Sequence, residues 1–281
     1  SLYNKTREEF LKKLIEIAPE GLTQVHLNNS GAEAVEAAMK FARKFTGKKG
    51  MIAMKGSYHG KSFGALSLTF NPKYRKAFAP LVEKVSFASF GDMDSLRSVI
   101  DEDTAFIILE PIQGESGIIV APDGFLQEVR KLCDEKGILL IFDEIQAGLG
   151  RTGRLWAGER WNTAPDILWV AKGIAGGVSM GATLVRPDIL AAISKGEHSS
   201  TFGGNPISCA AGIAALTSIT EDGLIENSKK MGEVFKEGLE KLKEKHTMIR
   251  EIRGKGLMIG IEMKFEVKDI LMGLIEEGVL M

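Results

Sequence analysis

Two residues stand out for their chemistry because each closes an apolar run. Ile138–Phe142 is followed at once by Asp143 and Glu144, and Ile167–Val170 leads through Ala171 to Lys172. Uniformly apolar runs of this length read as strands covered on both faces. In an open α/β sheet, ligands sit at the carboxyl ends of the strands. A lone carboxylate there is most often a solvated strand end. Asp143, however, precedes Gln146, a glycine-rich turn and Arg151-Thr152-Gly153, which is more polar chemistry than an exit loop needs. A lysine at the end of a buried strand is likewise badly explained by solubility.

An acid and a lysine at strand ends meet the needs of one cofactor above others. Pyridoxal phosphate takes a lysine for its Schiff base and an acid beside its pyridine nitrogen, so that the ring can accept electrons from a substrate carbanion. The same residues carry a resemblance. Asp143-Glu144-Ile145-Gln146-Ala147-Gly148 with Arg151-Thr152-Gly153, then Lys172 before a glycine-rich run ending Met180-Gly181-Ala182, resembles the class III (omega-amino) aminotransferases. Within them it is most similar to the acetylornithine and LysW-carrier aminotransferases of arginine and lysine synthesis. The resemblance implies a fold-type I α/β enzyme. Its large domain, 1–220, would hold a mostly parallel sheet flanked by helices, and 221–281 would begin a small C-terminal α/β domain. It implies Lys172 and Asp143 as catalytic residues, with Gln146 bonding the phenolic oxygen of the cofactor.

Other motifs gain meaning beside this one. Ser30 with Glu33 is a capping-box pattern at the head of a helix running to about Phe45. Free N–H groups at Ser30, Gly31 and Ala32 would face a positive dipole end, a ready phosphate site, though capping boxes are common. The resemblance assigns the cofactor phosphate to Gly31 and Ala32, with Ser30 helping. It also puts Tyr58 against the pyridine ring, where a flat aromatic face suits a flat heterocycle. His59 reads first as a structural histidine and second as a base. Lys61 stands where acetylornithine-type enzymes carry an arginine. It is a substrate-binding candidate, but as a point charge rather than a bidentate fork. Glu110 reads as structural. Glu115, in Glu110-Pro111-Ile112-Gln113-Gly114-Glu115, matches a specificity gate that neutralises a substrate-binding arginine. In His198-Ser199-Ser200-Thr201-Phe202-Gly203-Gly204-Asn205-Pro206, the resemblance has Ser200 face the substrate. Thr201 would reach the partner subunit's cofactor phosphate, which implies a homodimer with shared sites.

The chain has 281 residues, 44% hydrophobic and 26% charged, with 36 basic and 37 acidic side chains. That is ordinary for a globular protein with a large core. There is no polybasic stretch for nucleic acid or membrane. The longest nearly apolar run, Ile207–Leu216, is short for a membrane span. Cys133 and Cys209 fit buried helices, no metal site is expected, and a reducing cytoplasm follows. The chain opens at Ser1 without methionine and stops at Met281, where a strand is expected to begin, so both ends are expected to be cut.

Further helices are expected from a capping box at Thr6–Glu9, over Met93–Asp101, Gly124–Lys136, Pro187–Ser194, Pro206–Ile219, Ser228–Lys245 and Val267–Glu277. Further strands are expected at Val25–Leu27, Met51–Met54, Ala105–Leu109, Ala182–Val185 and Leu257–Met263. Asn71–Pro80 reads as a loop with Tyr74, Arg75 and Phe78 at a surface or interface. Trp156, Trp161 and Trp169 read as core or interface anchors.

The expected function is transfer of an amino group from a terminal amine to 2-oxoglutarate, giving glutamate and a semialdehyde. The amine would be N-acetylornithine, ornithine, or an equivalent on an amino-group carrier protein. Three alternatives stay open: 4-aminobutyrate or ornithine transamination, amino-acid racemisation with the same cofactor, and an inactive cofactor-binding fragment.

Overall fold

A computed structural model describes residues 3–280. Its strands are β1 Gln24–Asn28, β2 Gly50–Met54, β3 Val85–Ala88, β4 Thr104–Leu109, β5 Ile112–Gln113, β6 Ile119–Val120, β7 Leu139–Asp143, β8 Ile167–Val170, β9 Gly181–Val185, β10 Ile249–Lys255 and β11 Met258–Met263. Its α-helices are α1 Lys5–Glu16, α2 Gly31–Thr46, α3 Phe63–Leu68, α4 Pro72–Arg75, α5 Met93–Ser98, α6 Phe125–Lys136, α7 Pro187–Ala191, α8 Pro206–Glu221, α9 Leu224–Lys245 and α10 Lys268–Glu276. Seven strands make one sheet in the order β1-β9-β8-β7-β4-β2-β3. From β3 to β8 every pairing is parallel, and β9 runs antiparallel to both β8 and β1. The expected mostly parallel α/β architecture is therefore present.

The continuous apolar strands are explained by layers on both faces. On β4, Phe106 and Ile108 join α2 residues Ala34, Ala38 and Phe41 on one side. Ile107 and Leu109 join α6 residues Leu126, Val129 and Cys133 on the other. Strand β7 alternates in the same way, Ile141 to the first layer and Leu140 and Phe142 to the second. Each buried Leu, Ile, Val or Phe among these stabilises the fold by about 1.5–3 kcal/mol. Helix α2 approaches the sheet closely because alanines face it, and Gly47 in the left-handed region ends it. All three tryptophans are buried. Both cysteines are free and buried. Among the described residues no helix is long and apolar enough to cross a membrane.

Some expectations need correction. Helix α1 is capped by Asn4, whose side chain accepts from Arg7 N, so Thr6 lies inside the helix. Asparagine is at least as good a cap as threonine, and it came first. The Asn71–Pro80 stretch is not all loop: α4 and a 3₁₀ turn at Lys76–Phe78 occupy it. Helix α9 starts at Leu224 rather than Ser228, after Gly223 in the left-handed region. Strand β10 was not expected. Its sequence, IREIRGK, has no apolar run, and it is held instead as the antiparallel partner of β11.

Two buried carboxylates tie these layers together. Asp166, just before β8, accepts from Arg130 Nη1 of α6 at 2.8 Å and from Leu140 N of β7 at 2.7 Å, and it pairs with Arg186 at the head of α7. Hydrogen bonds to a charged group contribute about 1.5–3 kcal/mol. Replacing Asp166 by Asn should lower unfolding stability by about 2 kcal/mol in a urea titration. Stability equal to wild type would show that this network contributes nothing.

Glu144 spends both oxygens on the backbone of Ala157 and Gly158, at 3.0 and 2.9 Å. Burial pushes its carboxyl up to about 8, against the pull of those two bonds. The folded protein therefore keeps a proton that the unfolded chain releases near 4.5. The stability this contributes is complete below the unfolded value and is lost as pH rises through about 8. Urea unfolding from about pH 5 to about pH 9 should show a smaller loss in Glu144→Gln than in wild type. Equal losses would mean that Glu144 does not bind the proton.

Candidate active site

The site follows from strand register. Leu109 of β4 pairs with Phe142 of β7, and Asp143 pairs with Trp169 of β8. The first polar residues beyond the apolar runs, Glu110 and Asp143, therefore stand level on neighbouring strands, with Lys172 three residues beyond Trp169. The exit loop of β2 brings Tyr58 and His59 to the same edge, and the head of α2 brings Ser30, Gly31 and Ala32. These residues line one cavity of about 400 Å³, together with Asn29, Lys61, Gln146, Ser179 and Met180.

At its floor lies the pair of Asp143, which is 4% exposed, and His59, which is 2% exposed. His59 Nδ1 donates to Asp143 Oδ2 across 2.7 Å, and Asp143 Oδ1 accepts from Ile145 N at 3.0 Å. A buried carboxylate stays charged only when it is compensated in this way. Among the described residues, His59 Nε2 is buried and has no partner. The segment that delivers these groups is itself bolted down. Ser57 Oγ donates to Leu68 O, His59 N donates to Thr69 Oγ1, and Tyr58 N donates to Glu110 Oε1.

At the α2 end, Ser30 Oγ accepts from Glu33 N at 3.2 Å. The reciprocal arm lands one residue earlier than a capping box would put it. Glu33 Oε2 accepts from Asn29 N and from Asn29 Nδ2. Gly31 packs against the loop after β7: a Cβ on it would come 2.6 Å from Ile145 Cδ1. The helix head and the Asp143 loop are thus in direct contact.

Lys172 takes φ +46°, a left-handed backbone that costs a non-glycine residue about 1–2 kcal/mol. Such strain persists where the surroundings over-determine it. Lys172 and Gln146 also line a second cavity of about 690 Å³, whose far wall is formed by Ile219, Leu224 and Asn227, by Leu257 of the β10–β11 turn and by Met258 of β11. Lys172 therefore stands on the wall between two spaces.

The structure separates the remaining candidates. Lys61 is on the cavity wall with its ammonium 4.5 Å from the centre of the Tyr74 ring. Ser200 stays outside the lining but is linked to it, since its Oγ accepts from Asn29 Nδ2 at 3.0 Å. Glu115 and Thr201 are exposed and line neither cavity of their own chain. Sequence reasoning missed the lining role of Glu110 and the His59–Asp143 contact. Glu110 could have been found from its place immediately after an apolar run, the same signal that singled out Asp143.

Pyridoxal phosphate fits this donor set. A helix head with exposed N–H groups suits its phosphate. A carboxyl group held at the floor suits its ring nitrogen, and Tyr58 offers a wall for stacking. The orphaned His59 Nε2 marks a polar floor with bonding capacity to spare.

Comparison with known proteins agrees. The chain is 46% identical over 260 residues to an acetylornithine aminotransferase of Methanopyrus kandleri, covering 92% of this chain and 66% of the relative. It is 44% identical over 274 residues to a [LysW]-aminoadipate semialdehyde/glutamate semialdehyde transaminase of Sulfurisphaera tokodaii, covering 98% of this chain and 70% of that one. It superposes on the crystal structure of the ornithine aminotransferase of Toxoplasma gondii with a TM-score of 0.95 at 34% identity, over 99% of this chain and 69% of that one. A second structure of that enzyme carries pyridoxal phosphate at partial occupancy in its active site. The chain spans about two thirds of the length of the curated relatives it matches. The aminotransferase class-III family matches residues 1–281 from end to end. With the fold, the cavity and the relatives in agreement, the chain belongs to the class III aminotransferases, and its cofactor is pyridoxal 5′-phosphate.

Proposed function

We propose that this chain forms the cofactor half of an aminotransferase of arginine or lysine synthesis. It would take the amino group from a terminal amine and pass it to 2-oxoglutarate. The observation that carries this reading is the position of Lys172 on the wall shared by two cavities, with Asp143 at the floor of one. Bound pyridoxal phosphate supplies an aldehyde that links covalently to amines and a ring that accepts electrons from the adjacent carbon. The chain does the rest. Lys172 Nζ holds the cofactor between turnovers, and once released it takes and returns the proton at the reacting carbon. Asp143 keeps a negative charge at the ring nitrogen, and His59 fixes the direction of that carboxylate. Gln146 holds the phenolic oxygen and Tyr58 holds the ring face. Ser30, Gly31 and Ala32 bind the phosphate at the head of α2.

The substrate would enter by the larger cavity, with Lys61, Glu115 and Ser200 setting which amine and which oxo acid are accepted. The names of the relatives favour N-acetylornithine or a LysW-type carrier bearing the amine. Residues 1–220 serve as the cofactor domain and 221–281 as part of the small domain. A homodimer is part of the proposal. Thr201 would serve the phosphate site of a second copy, and Phe202 and Ile207 beside it are 72% and 76% exposed, as a contact surface requires.

Borohydride reduction of the loaded protein followed by peptide mass analysis should place the cofactor mass on Lys172. Lys172→Ala should lose that mass and about 10²-fold or more of turnover. A cofactor mass on another lysine in wild type would remove Lys172 from the role. Among N-acetylornithine, ornithine and 4-aminobutyrate, the first should yield glutamate from 2-oxoglutarate fastest. Amino-acid turnover that needs no oxo acid would support racemisation instead.

A further inference from the structure

Glu110 is the one buried titratable group on the cavity wall that the proposed chemistry leaves unused. It is 5% exposed, and both of its oxygens are committed. Oε1 accepts from Tyr58 N at 3.1 Å, and Oε2 accepts from Gly114 N at 2.9 Å. We propose that Glu110 is a positioning residue: one buried carboxylate sets both the aromatic wall at Tyr58 and the turn that carries Glu115. The proposal rests on the cofactor reading above, because Tyr58 matters only if a ring lies against it.

The geometry makes this coupling direct. Strand β4 ends beside β7, so Glu110 stands level with Asp143 and cannot shift along the strand without breaking the β4 ladder. Its first bond fixes the backbone of Tyr58, the residue before His59, whose imidazole holds Asp143. Its second bond fixes the first residue of the 114–118 turn. That turn is closed by Gly117 N and Ile118 N donating to Gly114 O at 3.2 and 3.3 Å. Its far end is pinned by Arg253 Nε donating to Gly117 O at 2.7 Å. A Cβ on Gly114 would meet Gln146 Oε1 at 2.1 Å, so the turn also lies against the side chain proposed for the phenolic oxygen. Glu115 is close enough to Tyr58 that its charge helps burial raise the Tyr58 hydroxyl pKa. The aromatic wall and the acidic turn are therefore neighbours in space, joined through Glu110.

Charge on Glu110 modulates both bonds, because an ionised carboxylate accepts N–H bonds more strongly than a neutral acid. Burial, opposed by His59 and reinforced by Asp143, pushes its carboxyl up to about 7. The other titratable groups of the cavity wall are Lys61, Lys172 and Tyr58, with Glu115 beyond the turn. Glu110→Gln keeps the shape and removes the charge. Glu110→Asp keeps the charge but lacks the reach to hold both N–H groups.

The test uses the cofactor-loaded protein, with wild type shown to carry the cofactor on Lys172 and to turn over. Three readouts are followed in both variants. These are the visible circular dichroism of the bound cofactor, its absorbance as a function of pH, and KM against kcat for the oxo acid. Both variants should keep the cofactor on Lys172, change the dichroism, and raise KM for the oxo acid by about tenfold, more than they lower kcat. The pH dependence of the absorbance should shift in Glu110→Gln and not in Glu110→Asp. Should the amide variant fail to fold, dichroism and KM of Glu110→Asp decide. Wild-type dichroism and KM in the folded variants would overturn the positioning role and leave the transaminase reading intact. A wild-type protein that binds no cofactor would overturn that reading first.

Discussion

Everything at this site depends on the buried contact between Asp143 and His59. A carboxylate taken out of water is costly unless its charge is met, and removing one partner of a buried pair is more destructive than never having had it. Here the charge is met by His59 Nδ1 and Ile145 N. The imidazole comes from the loop after β2 and the amide from the residue two beyond Asp143. The pair therefore forms only when the β2 exit and the β7 exit are both in place, and Ile145 in turn packs against Gly31 at the head of α2. Local order at the floor and global order of the sheet are the same event.

Three carboxylates lie at two adjacent strand ends, and each is handled differently. Asp143 is paired with an imidazole. Glu144, the next residue, turns away from the cavity and is absorbed by two backbone amides of the 157–158 turn. Glu110, one strand over, bonds amides from two separate loops. Burial, with the nearby Asp143 adding to it, raises the Glu110 and Glu144 carboxyls, while Asp143 has the imidazole contact.

Much of this was legible in the sequence. Strands β2, β4, β7 and β8 are covered on both faces, and such strands must be written as uninterrupted apolar runs. Helix α2 announced itself through Ser30 and Glu33. Asp143 and Lys172 were visible because polar residues stop those runs abruptly. What escaped notice lacked a local signature. Strand β10 carries charges on both sides and buries only Ile252, so it lacks the apolar run that marks the central strands. His59 gave no sign of its bond to Asp143, since that contact joins residues 84 apart in sequence. Glu110 looked structural until the order of strands put it beside Asp143.

Lys172 is where stability and chemistry diverge. A lysine at φ +46° is a poor choice for folding, and glycine would fit that backbone better. Its neighbours explain why the strain is held. Strand β8 is buried on both faces, Ile174 and Ala175 just after Lys172 are buried, and Ile174 N donates back to Ala171 O. The backbone on either side is anchored while the lysine side chain is not enclosed. The anchoring fixes where the ammonium stem begins, and the two cavities on its flanks leave the stem room to swing. The unfavourable dihedral follows from turning the chain sharply enough at a strand end to put the tip between two cavities.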